Sequence, residues 1–193
     1  MKPPVEAPAS RHRRPDTTNP DGSKAALAVD FKGDRINEIF VRDLTTGAVT
    51  TTGIKDASSD LVWTKDGKSL ISGAADGFVK VWTAGDFALA SRHRTSDKSL
   101  AALVGTVDGQ LLATAGPDGR IRIYTVTGTG ISELVSKLLE RQVLCMAWSR
   151  DGKILVTGGA DRSLRYWKGS DLSVLLRVSA HEGNITAVAV GPN

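Results

Sequence analysis

The sequence predicts an all-β fold, a β-propeller of four-stranded antiparallel blades, with about four blades in its 193 residues. Asp-Gly turns recur with spacings of 45, 42 and 43 residues, at Gly22, Gly67, Gly109 and Gly152. Short runs rich in Val, Ile and Leu lie between turn signals, as is typical of antiparallel hairpins. A repeat of about 40 to 45 residues with four strands per unit is the period of a propeller blade.

Three columns of side chains keep the same step of 42 or 43 residues. They are a hydroxyl column (Ser72, Thr114 and Thr157), an acidic column (Asp76, Asp118 and Asp161) and an aromatic column (Trp82, Tyr124 and Trp167). Agreement between three independent columns indicates a true internal repeat and not a chance pattern.

Residues 143–184 form the clearest copy of the repeat, with predicted strands in VLCMAW, KILVTG, LRYW and SVLLRV. One sheet of this size cannot bury its faces alone, so the copies must pack on one another. We predict blades at approximately 18–57, 58–98, 99–142 and 143–184. The segment ISELVSKLLERQ falls where the third blade needs its outer strand and is interpreted as a strand, with a short helical turn as the alternative.

Residues 1–17 are predicted to form a disordered arm, because four prolines and clustered charges leave almost no apolar periodicity. The arm contains RHRR at Arg11–Arg14, which carries much of the excess positive charge in a formal net charge of +4. Elsewhere basic and acidic residues alternate, as on an ordinary solvated surface. We interpret the basic cluster as a solubilising arm and expect no nucleic-acid partner.

The sequence predicts neither a membrane segment nor a leader. Apolar runs rarely exceed about six residues, whereas a membrane-spanning helix needs about 20. The opening residues MKPPVEAPAS lack the apolar stretch of a signal peptide, which favours a cytoplasmic protein, with a nuclear or nucleolar location as the alternative.

Cys145 is the only cysteine and lies in an alternating strand, so we expect a buried thiol without a disulfide partner.

No catalytic, cofactor or metal site is predicted. The three histidines, His12, His93 and His181, are far apart and have no cysteine or carboxylate at ligand spacing. The Asp-rich turns lack the spaced carboxylates and the closing Glu of calcium loops. The Gly-rich segments do not precede helices, so they are not phosphate-binding loops. We expect Trp63 and Trp148 to be core residues.

The segments SGAADGFVKVW, TAGPDGRIRIY and TGGADRSLRYW resemble the WD-repeat family, and the resemblance covers residues 55–193. Repeats of that family carry a Gly-His pair near the start, an Asp between the second and third strands, and Trp-Asp at the end. Here Trp82 is followed by Thr83 and Trp167 by Lys168, so the Trp-Asp pair is absent. His181 occupies the usual histidine position, whereas Leu139 stands there in the fourth blade.

This resemblance implies that the three columns and His181 are structural. The family links an aromatic ring N–H, a hydroxyl, a His and an Asp in one hydrogen-bond chain, which satisfies several buried polar groups at once. The second and fourth blades lack the His, and Tyr124 replaces Trp in the third. We therefore expect incomplete networks. Residues 137–167 are also similar to WD-repeat factors of ribosome biogenesis.

The first unit departs most from the repeat. It has a longer second turn and Arg42 in the aromatic column, and with its VRDLTTG strand it resembles the propeller of the prolyl oligopeptidase family over residues 18–70. The peptidase chemistry of that family lies in a separate hydrolase domain, and this chain contains no G-x-S-x-G nucleophile motif. Two propeller families in one chain suggest a fusion of unlike propeller pieces, natural or engineered.

The two ends of the repeat are predicted to meet. Residues 185–193, ITAVAVGPN, align with the innermost strand of a blade, whereas the first unit opens at its NPDGS turn without such a strand. We expect this segment to fill the first unit of a second chain and so to form a two-chain ring of eight blades, a homodimer assembled through terminal strands. Closure of four blades within one chain and a fragment of a longer propeller are the alternatives.

The expected function is that of a non-enzymatic protein–protein interaction scaffold, since repeat rings present rigid loops in fixed positions. Two other functions stay open. The propeller could be an accessory to a hydrolase or a factor of ribosome biogenesis, or it could be an engineered or chimeric assembly without a biological ligand.

Overall fold

The computed structural model describes residues 17–32, 37–55 and 57–191, and within these ranges its regular secondary structure is β-strand. The strands form four separate sheets of four antiparallel strands each. This confirms the predicted all-β fold with four propeller blades. The described residues contain no helix that is long and apolar enough to cross a membrane.

The first two blades lie within residues 17–94, and each follows chain order from its inner to its outer edge. Blade one contains β1 (Thr17–Thr18), β2 (Lys24–Val29), β3 (Glu38–Asp43) and β4 (Val49–Thr51). Blade two contains β5 (Ala57–Trp63), β6 (Ser69–Ala74), β7 (Phe78–Thr83) and β8 (Leu89–Arg94).

The last two blades repeat this order. Blade three contains β9 (Ala102–Gly105), β10 (Leu111–Ala115), β11 (Arg120–Thr127) and β12 (Gly130–Leu138). Blade four contains β13 (Val143–Trp148), β14 (Ile154–Gly159), β15 (Ser163–Lys168) and β16 (Val174–Ser179). The segment ISELVSKL therefore belongs to an outer strand, β12, as expected from its context.

Neighbouring blades pack face to face, with β5 against β2, β9 against β5 and β13 against β9. The face of a blade that is directed toward the preceding blade in the chain is called its preceding face. The opposite face is called its following face. Because successive side chains of a strand point to opposite sides of the sheet, each strand contributes residues to both faces. In β7, Val79 and Val81 are 0% and 1% exposed and pack toward Leu103 and Leu112 of blade three, whereas Trp82 belongs to the cluster shared with blade one.

Blade one has an innermost strand, so the prediction that the first unit opens without one is wrong. Thr17 and Thr18 pair with Ala26 and Ala25 of β2. A strand of two residues beside a proline-rich segment has too little periodicity to be recognised in the sequence. The remainder of the predicted arm, residues 1–16 with His12 and Arg11–Arg14, lies outside the described residues.

Residues 185–191 form no strand, and β1 holds the position in blade one that this segment was expected to fill. Its first residue is nevertheless anchored on blade four. Ile185 is 5% exposed, its amide donates to the Gly159 carbonyl at 3.2 Å, and its carbonyl accepts from the Cys145 thiol at 3.4 Å. A Cβ on Gly158 would lie 2.5 Å from Ile185 Cγ2, so the absent side chain at Gly158 makes room for this contact.

Cys145 is half-buried, not buried as expected. It lies on the following face of blade four, where its thiol donates to the Ile185 carbonyl. Burial raises the pKa of the Cys145 thiol, which keeps it protonated and unreactive near neutral pH.

Candidate interaction site

A half-open cavity of about 540 Å³ lies where the inner strands β1, β5 and β9 converge. Its walls come from three blades and combine Thr hydroxyls with apolar side chains, among them Thr17, Thr18, Leu61, Val62 and Val104. Ligand sites are typically concave and mostly apolar, with a few polar groups that orient the ligand. This is the candidate site of the protein, and we call it the inner-strand cavity.

Asp60 is the one titratable residue that lines the inner-strand cavity in the described part of the chain. Its Oδ2 accepts a hydrogen bond from the backbone amide of Leu103 at 3.1 Å, which joins β5 to β9. The described residues that line the cavity combine this one carboxylate with hydroxyl, backbone and apolar groups, which can orient and enclose a ligand.

The mouth of the cavity is apolar because of two turn residues, Pro20 and Val107, which also line it. Val107 is 73% exposed, the largest exposure among the exposed apolar side chains of the described residues. The equivalent turns of blades two and four carry Lys65 and Arg150 at this position. Val107 is apolar, whereas the equivalent residues of blades two and four are basic. This edge of the cavity therefore has an exposed apolar contact surface.

The turn that presents Val107 is held rigidly. The Thr106 hydroxyl donates to Asp108 Oδ1 at 2.6 Å, and the same oxygen accepts from the Gln110 amide at 3.1 Å. The hydrogen bond from Thr106 lowers the pKa of Asp108, and burial opposes this effect. The equivalent pairs are Thr64 with Asp66 at 2.7 Å and Ser149 with Asp151 at 2.7 Å.

The two tryptophans at the ends of β5 and β13 tie neighbouring blades together. The Trp63 ring N–H donates to the Thr17 carbonyl at 3.1 Å, and the Trp148 ring N–H donates to the Val104 carbonyl at 3.3 Å. Both side chains are buried, at 4% and 9% exposed. They lie in the core, as expected, and each also holds the innermost strand of the preceding blade beside the cavity.

Aromatic and hydroxyl residues of the repeat columns lie together in blades two, three and four. The ring N–H of Trp82 donates to Ser72 Oγ at 2.9 Å, and that of Trp167 donates to Thr157 Oγ1 at 2.9 Å. In blade three, burial raises the pKa of Tyr124 to about 12, partly opposed by the Thr114 hydroxyl. Thr114 Oγ1 itself has no hydrogen-bond partner of regular geometry among the described residues.

The acidic column caps its own turns. Asp76, Asp118 and Asp161 each accept, through Oδ1, a hydrogen bond from the backbone amide two residues later, at 3.1, 3.0 and 3.2 Å. This is the bond of an Asx turn. The structure therefore supplies a local reason for aspartate at these three positions.

Each of these aspartates also pairs with a cation four residues later. Lys80 Nζ lies 3.4 Å from Asp76 Oδ2, Arg122 Nη1 lies 2.8 Å from Asp118 Oδ2, and Arg165 contacts Asp161. The cations stand directly across the sheet from the hydroxyl column, at Ser72, Thr114 and Thr157. Each cation therefore contacts the carboxylate and stands opposite the hydroxyl residue in the neighbouring strand.

These basic residues were not recognised as repeat positions, although a Lys or Arg four residues after each Asp is visible in the sequence. Burial raises the pKa of Asp161, but hydrogen bonds and the charges of Arg165 and Arg177 lower it by more. Burial likewise raises the pKa of Asp118, but hydrogen bonds from Arg120 and Arg122 and the charge of Arg122 lower it by more. Both carboxylates are thus ionised at neutral pH.

The histidine position itself is occupied differently in each blade. Ser96, Leu139 and His181 stand there, at the repeat step of 43 and 42 residues. Ser96 Oγ donates to Asp118 Oδ2 at 3.2 Å and so takes part in the acidic column. His181 is exposed, and the structure brings it to none of the three aspartates. The described residues contain no group of three His, Cys, Asp or Glu that could hold a metal ion.

Stability is expected to fall in acid because nine of the described aspartates have pKa values below their ordinary value, namely Asp21, Asp43, Asp66, Asp86, Asp108, Asp118, Asp151, Asp161 and Asp171. A lowered folded pKa contributes stability above the unfolded pKa of about 3.9 and loses it as the pH falls through the folded pKa. Thermal unfolding should therefore give a constant midpoint from about pH 7 to 5 and a lower one below about pH 4.

The Asp108→Asn variant is the control for this pH dependence, since its amide oxygen keeps the turn hydrogen bonds without titrating. The drop in its midpoint between about pH 5 and 3 should be smaller than that of the unchanged protein. A midpoint that does not change over this interval in either protein would contradict the assignment of these caps.

Comparisons with known proteins agree with the two resemblances read from the sequence. Residues 133–168 match the family model for the WD domain, G-beta repeat, and residues 16–77 match that for the prolyl oligopeptidase, N-terminal beta-propeller domain. Both predicted resemblances are confirmed. Each model matches less than half of the chain.

Several curated proteins are similar to parts of the chain. Protein hir1 of Aspergillus terreus is 26% identical over 130 residues, 66% of this chain and 13% of that protein. The guanine nucleotide-exchange factor SEC12 of Rattus norvegicus is 40% identical over 53 residues, 28% of this chain and 12% of that protein. The U5 small nuclear ribonucleoprotein 40 kDa protein of Pongo abelii is 35% identical over 54 residues, 28% of this chain and 15% of that protein. The chain thus spans a small part of the curated relatives that it matches.

Proposed function

We propose that the protein is a non-enzymatic interaction scaffold, acting in the cytoplasm, that binds a segment of a partner protein at the inner-strand cavity. The observation that carries this proposal is the apolar mouth of the cavity, formed by Pro20 and by Val107 at 73% exposure. Exposed apolar residues beside a concave surface are typical of protein-binding sites. The similarity to WD-repeat proteins supports the same class of function.

The chemistry of the cavity favours an extended, mainly apolar segment as the ligand. Its hydroxyls and backbone groups can orient a peptide, and the Asp60 carboxylate already accepts from Leu103. The neighbouring turns are fixed by aspartate caps, so the mouth loses little conformational entropy when a partner binds.

The Val107→Lys variant tests this proposal. Lysine stands at the same position in the turn of blade two, as Lys65, so the turn tolerates it. Tagged chains are incubated with extract of the source cells, and the proteins recovered are quantified. We expect a specifically bound partner to be recovered at least about tenfold less with Val107→Lys, because the charge must be desolvated at the interface.

Leu44→Lys is the matched control, since Leu44 is another apolar turn residue, at 47% exposure, and does not line the cavity. It should leave recovery of the partner unchanged. Equal recovery of the partner with the unchanged chain, Val107→Lys and Leu44→Lys would contradict the proposed binding site. Hydrolysis of a peptide or ester substrate by the purified chain would contradict the non-enzymatic role.

An accessory role beside a hydrolase is the second candidate, favoured by the match of residues 16–77 to the prolyl oligopeptidase propeller. A hydrolase recovered through the same cavity would support it. A ribosome-biogenesis factor as partner would support the other accessory role. Parents of two unrelated families for the two halves, without a recovered partner, would instead support a chimeric assembly.

Self-association through the C-terminal part of the chain is the further element of the proposal. In blade one, β1 occupies the innermost-strand position that residues 185–191 were expected to fill. Pairing with a second copy at this position would require these residues to displace β1. The mass of the chain by light scattering at about micromolar concentration tests self-association, and a clean monomer would contradict it.

A further inference from the structure

Two exposed arginines of blade two stack on a single aromatic ring. The guanidinium carbon of Arg92 lies 5.1 Å from the centre of the Phe78 ring, and that of Arg94 lies 5.7 Å from it. Cations at these distances are attracted to the face of the ring. Arg94 Nε also lies 3.0 Å from Asp97 Oδ1, whereas Arg92 has no carboxylate partner in the described part of the chain. The ring thus holds two positive charges close together at the surface.

Lys80 adds a third cation on the same face of the sheet. The register pairs Arg94 with Phe78 and Arg92 with Lys80, and paired residues of an antiparallel ladder lie on one face. This is the preceding face of blade two, because Trp82, two residues after Lys80, belongs to the cluster shared with blade one. We call Phe78, Lys80, Arg92 and Arg94 the Phe78 patch.

The sheets of blades three and four form without such a patch. The register positions of Phe78, Arg92 and Arg94 carry other residues in these blades, namely Arg120, Ser136 and Leu138 in blade three and Ser163, Arg177 and Ser179 in blade four. The fold of a blade therefore does not require an aromatic ring between two arginines. The patch is a property of the surface of blade two alone among these three blades.

The patch lies beside an open edge, because β8 is the outermost strand of its sheet. The Thr95 amide donates to the Gly77 carbonyl at 3.0 Å. Since hydrogen-bonded and non-hydrogen-bonded pairs alternate along an antiparallel ladder, the backbone amides and carbonyls of Arg92 and Arg94 point away from β7. An extended peptide can pair with such an edge as an added strand.

The charges of the patch select an acidic strand as the occupant. Arg92 and Arg94 stand about 7 Å apart along β8, and an added strand places every second residue beside them. Acidic residues there would meet both guanidinium groups, whereas a second copy of β8 would bring like charges together. Nucleic acids gain their affinity from many phosphate contacts, and the carboxylates of Asp76 and Asp97, which pair with Lys80 and Arg94, oppose a phosphate backbone.

We propose that the Phe78 patch binds an extended acidic segment of a partner protein. Two aspartate or glutamate residues, separated by one residue, face Arg92 and Arg94, and the segment pairs with the outer edge of β8. Phe78 holds the two guanidinium groups in place before the segment binds. None of the patch residues lines the inner-strand cavity, so this second contact surface does not depend on the cavity as a binding site.

Fluorescence anisotropy of a labelled peptide, titrated with the full chain, tests the proposal. The probe is a peptide of about nine residues that alternates threonine with glutamate. We expect a dissociation constant on the order of 100 µM at about 50 mM salt, and weaker binding at higher salt because exposed charges are screened. The same peptide with glutamine in place of glutamate should show no measurable binding. Arg92→Gln should weaken binding of the glutamate peptide by about fivefold.

Arg177→Gln is the matched control, since Arg177 occupies the register position of Arg92 in blade four and its loss removes the same charge. It should bind the glutamate peptide like the unchanged chain. Phe78→Leu keeps every charge but removes the ring, and it should weaken binding by about threefold. Circular dichroism checks the fold of each variant, and Arg94→Gln is the second variant if Arg92→Gln does not fold.

No binding of the glutamate peptide up to about 1 mM would overturn the proposal. Equal weakening by Arg92→Gln and Arg177→Gln would also overturn it, because net charge alone would then explain the binding. A third contrary result is a thymidine oligonucleotide that binds more tightly than the peptide and is lost from Arg92→Gln. Val107→Lys should leave peptide binding unchanged, so that failure of the Phe78 patch and failure of the cavity are distinguishable.

Discussion

Gly109→Ala is expected to reduce the free energy of unfolding by about 3 kcal/mol. The backbone at Gly109 has φ +63°, and a Cβ there would lie 2.4 Å from the Lys65 amide nitrogen and 2.8 Å from the Trp63 carbonyl oxygen. The left-handed conformation accounts for about 1 to 2 kcal/mol, and forced overpacking against rigid backbone for about 1 to 3 kcal/mol. The turn of blade three would be pushed away from the end of β5, which borders the inner-strand cavity.

Gly22→Ala separates these two contributions. Gly22 has φ +71° and stands in the equivalent turn of blade one, but a Cβ there meets nothing within 4 Å. It should lose only the conformational part, about 1 to 2 kcal/mol. Urea titrations followed by circular dichroism give both values. If the two variants lose the same stability, the close contact between the turn of blade three and blade two is not significant in solution.

Asp118→Ala is expected to reduce the free energy of unfolding by about 2 to 3 kcal/mol, because it removes the counter-ion of a largely buried guanidinium. The side chains of Asp118 and Arg122 are only 18% and 13% exposed. Nη1 lies 2.8 Å from Oδ2 without the alignment of a regular hydrogen bond, so the contact is mainly electrostatic. The Ser96 hydroxyl would lose its acceptor as well.

Asp76→Ala is the matched control, since Asp76 caps the same turn in blade two through the Phe78 amide. Its ion pair with Lys80 is longer, at 3.4 Å, and Asp76 is 49% exposed, so the loss should be below about 1 kcal/mol. The same urea titrations apply. An equal loss in the two variants would mean that the turn cap alone explains the acidic column.

The repeat made most of the fold predictable from the sequence. Its period predicted four sheets. The aromatic and hydroxyl columns are diagonal neighbours on adjacent strands, where Trp82 donates to Ser72 and Trp167 donates to Thr157. The aspartate column is visible in the sequence as well, whereas the resemblance implies a histidine that blades two and four lack. The cation four residues later was overlooked because it is a common surface residue without a signal of its own.

The cavity could not be predicted in the same way. Its lining is spread over β1, β5 and β9, which are far apart in the chain, and β1 is too short for its periodicity to be seen. One clue was present: Val107 stands where Lys65 and Arg150 occupy the sister turns. Exposure decides whether such a residue is core or contact surface, and exposure follows only from the packing of the blades.

Amide hydrogen exchange of the chain with and without its recovered partner tests the cavity as the binding site most directly. Segments around Thr17–Thr18, Asp60 to Trp63 and Leu103 to Val107 should be protected when the partner binds, since these residues line the cavity. The turns at Asp76, Asp118 and Asp161, which do not line it, should exchange as in the free chain. Protection of those turns, with no change around the cavity, would contradict the account.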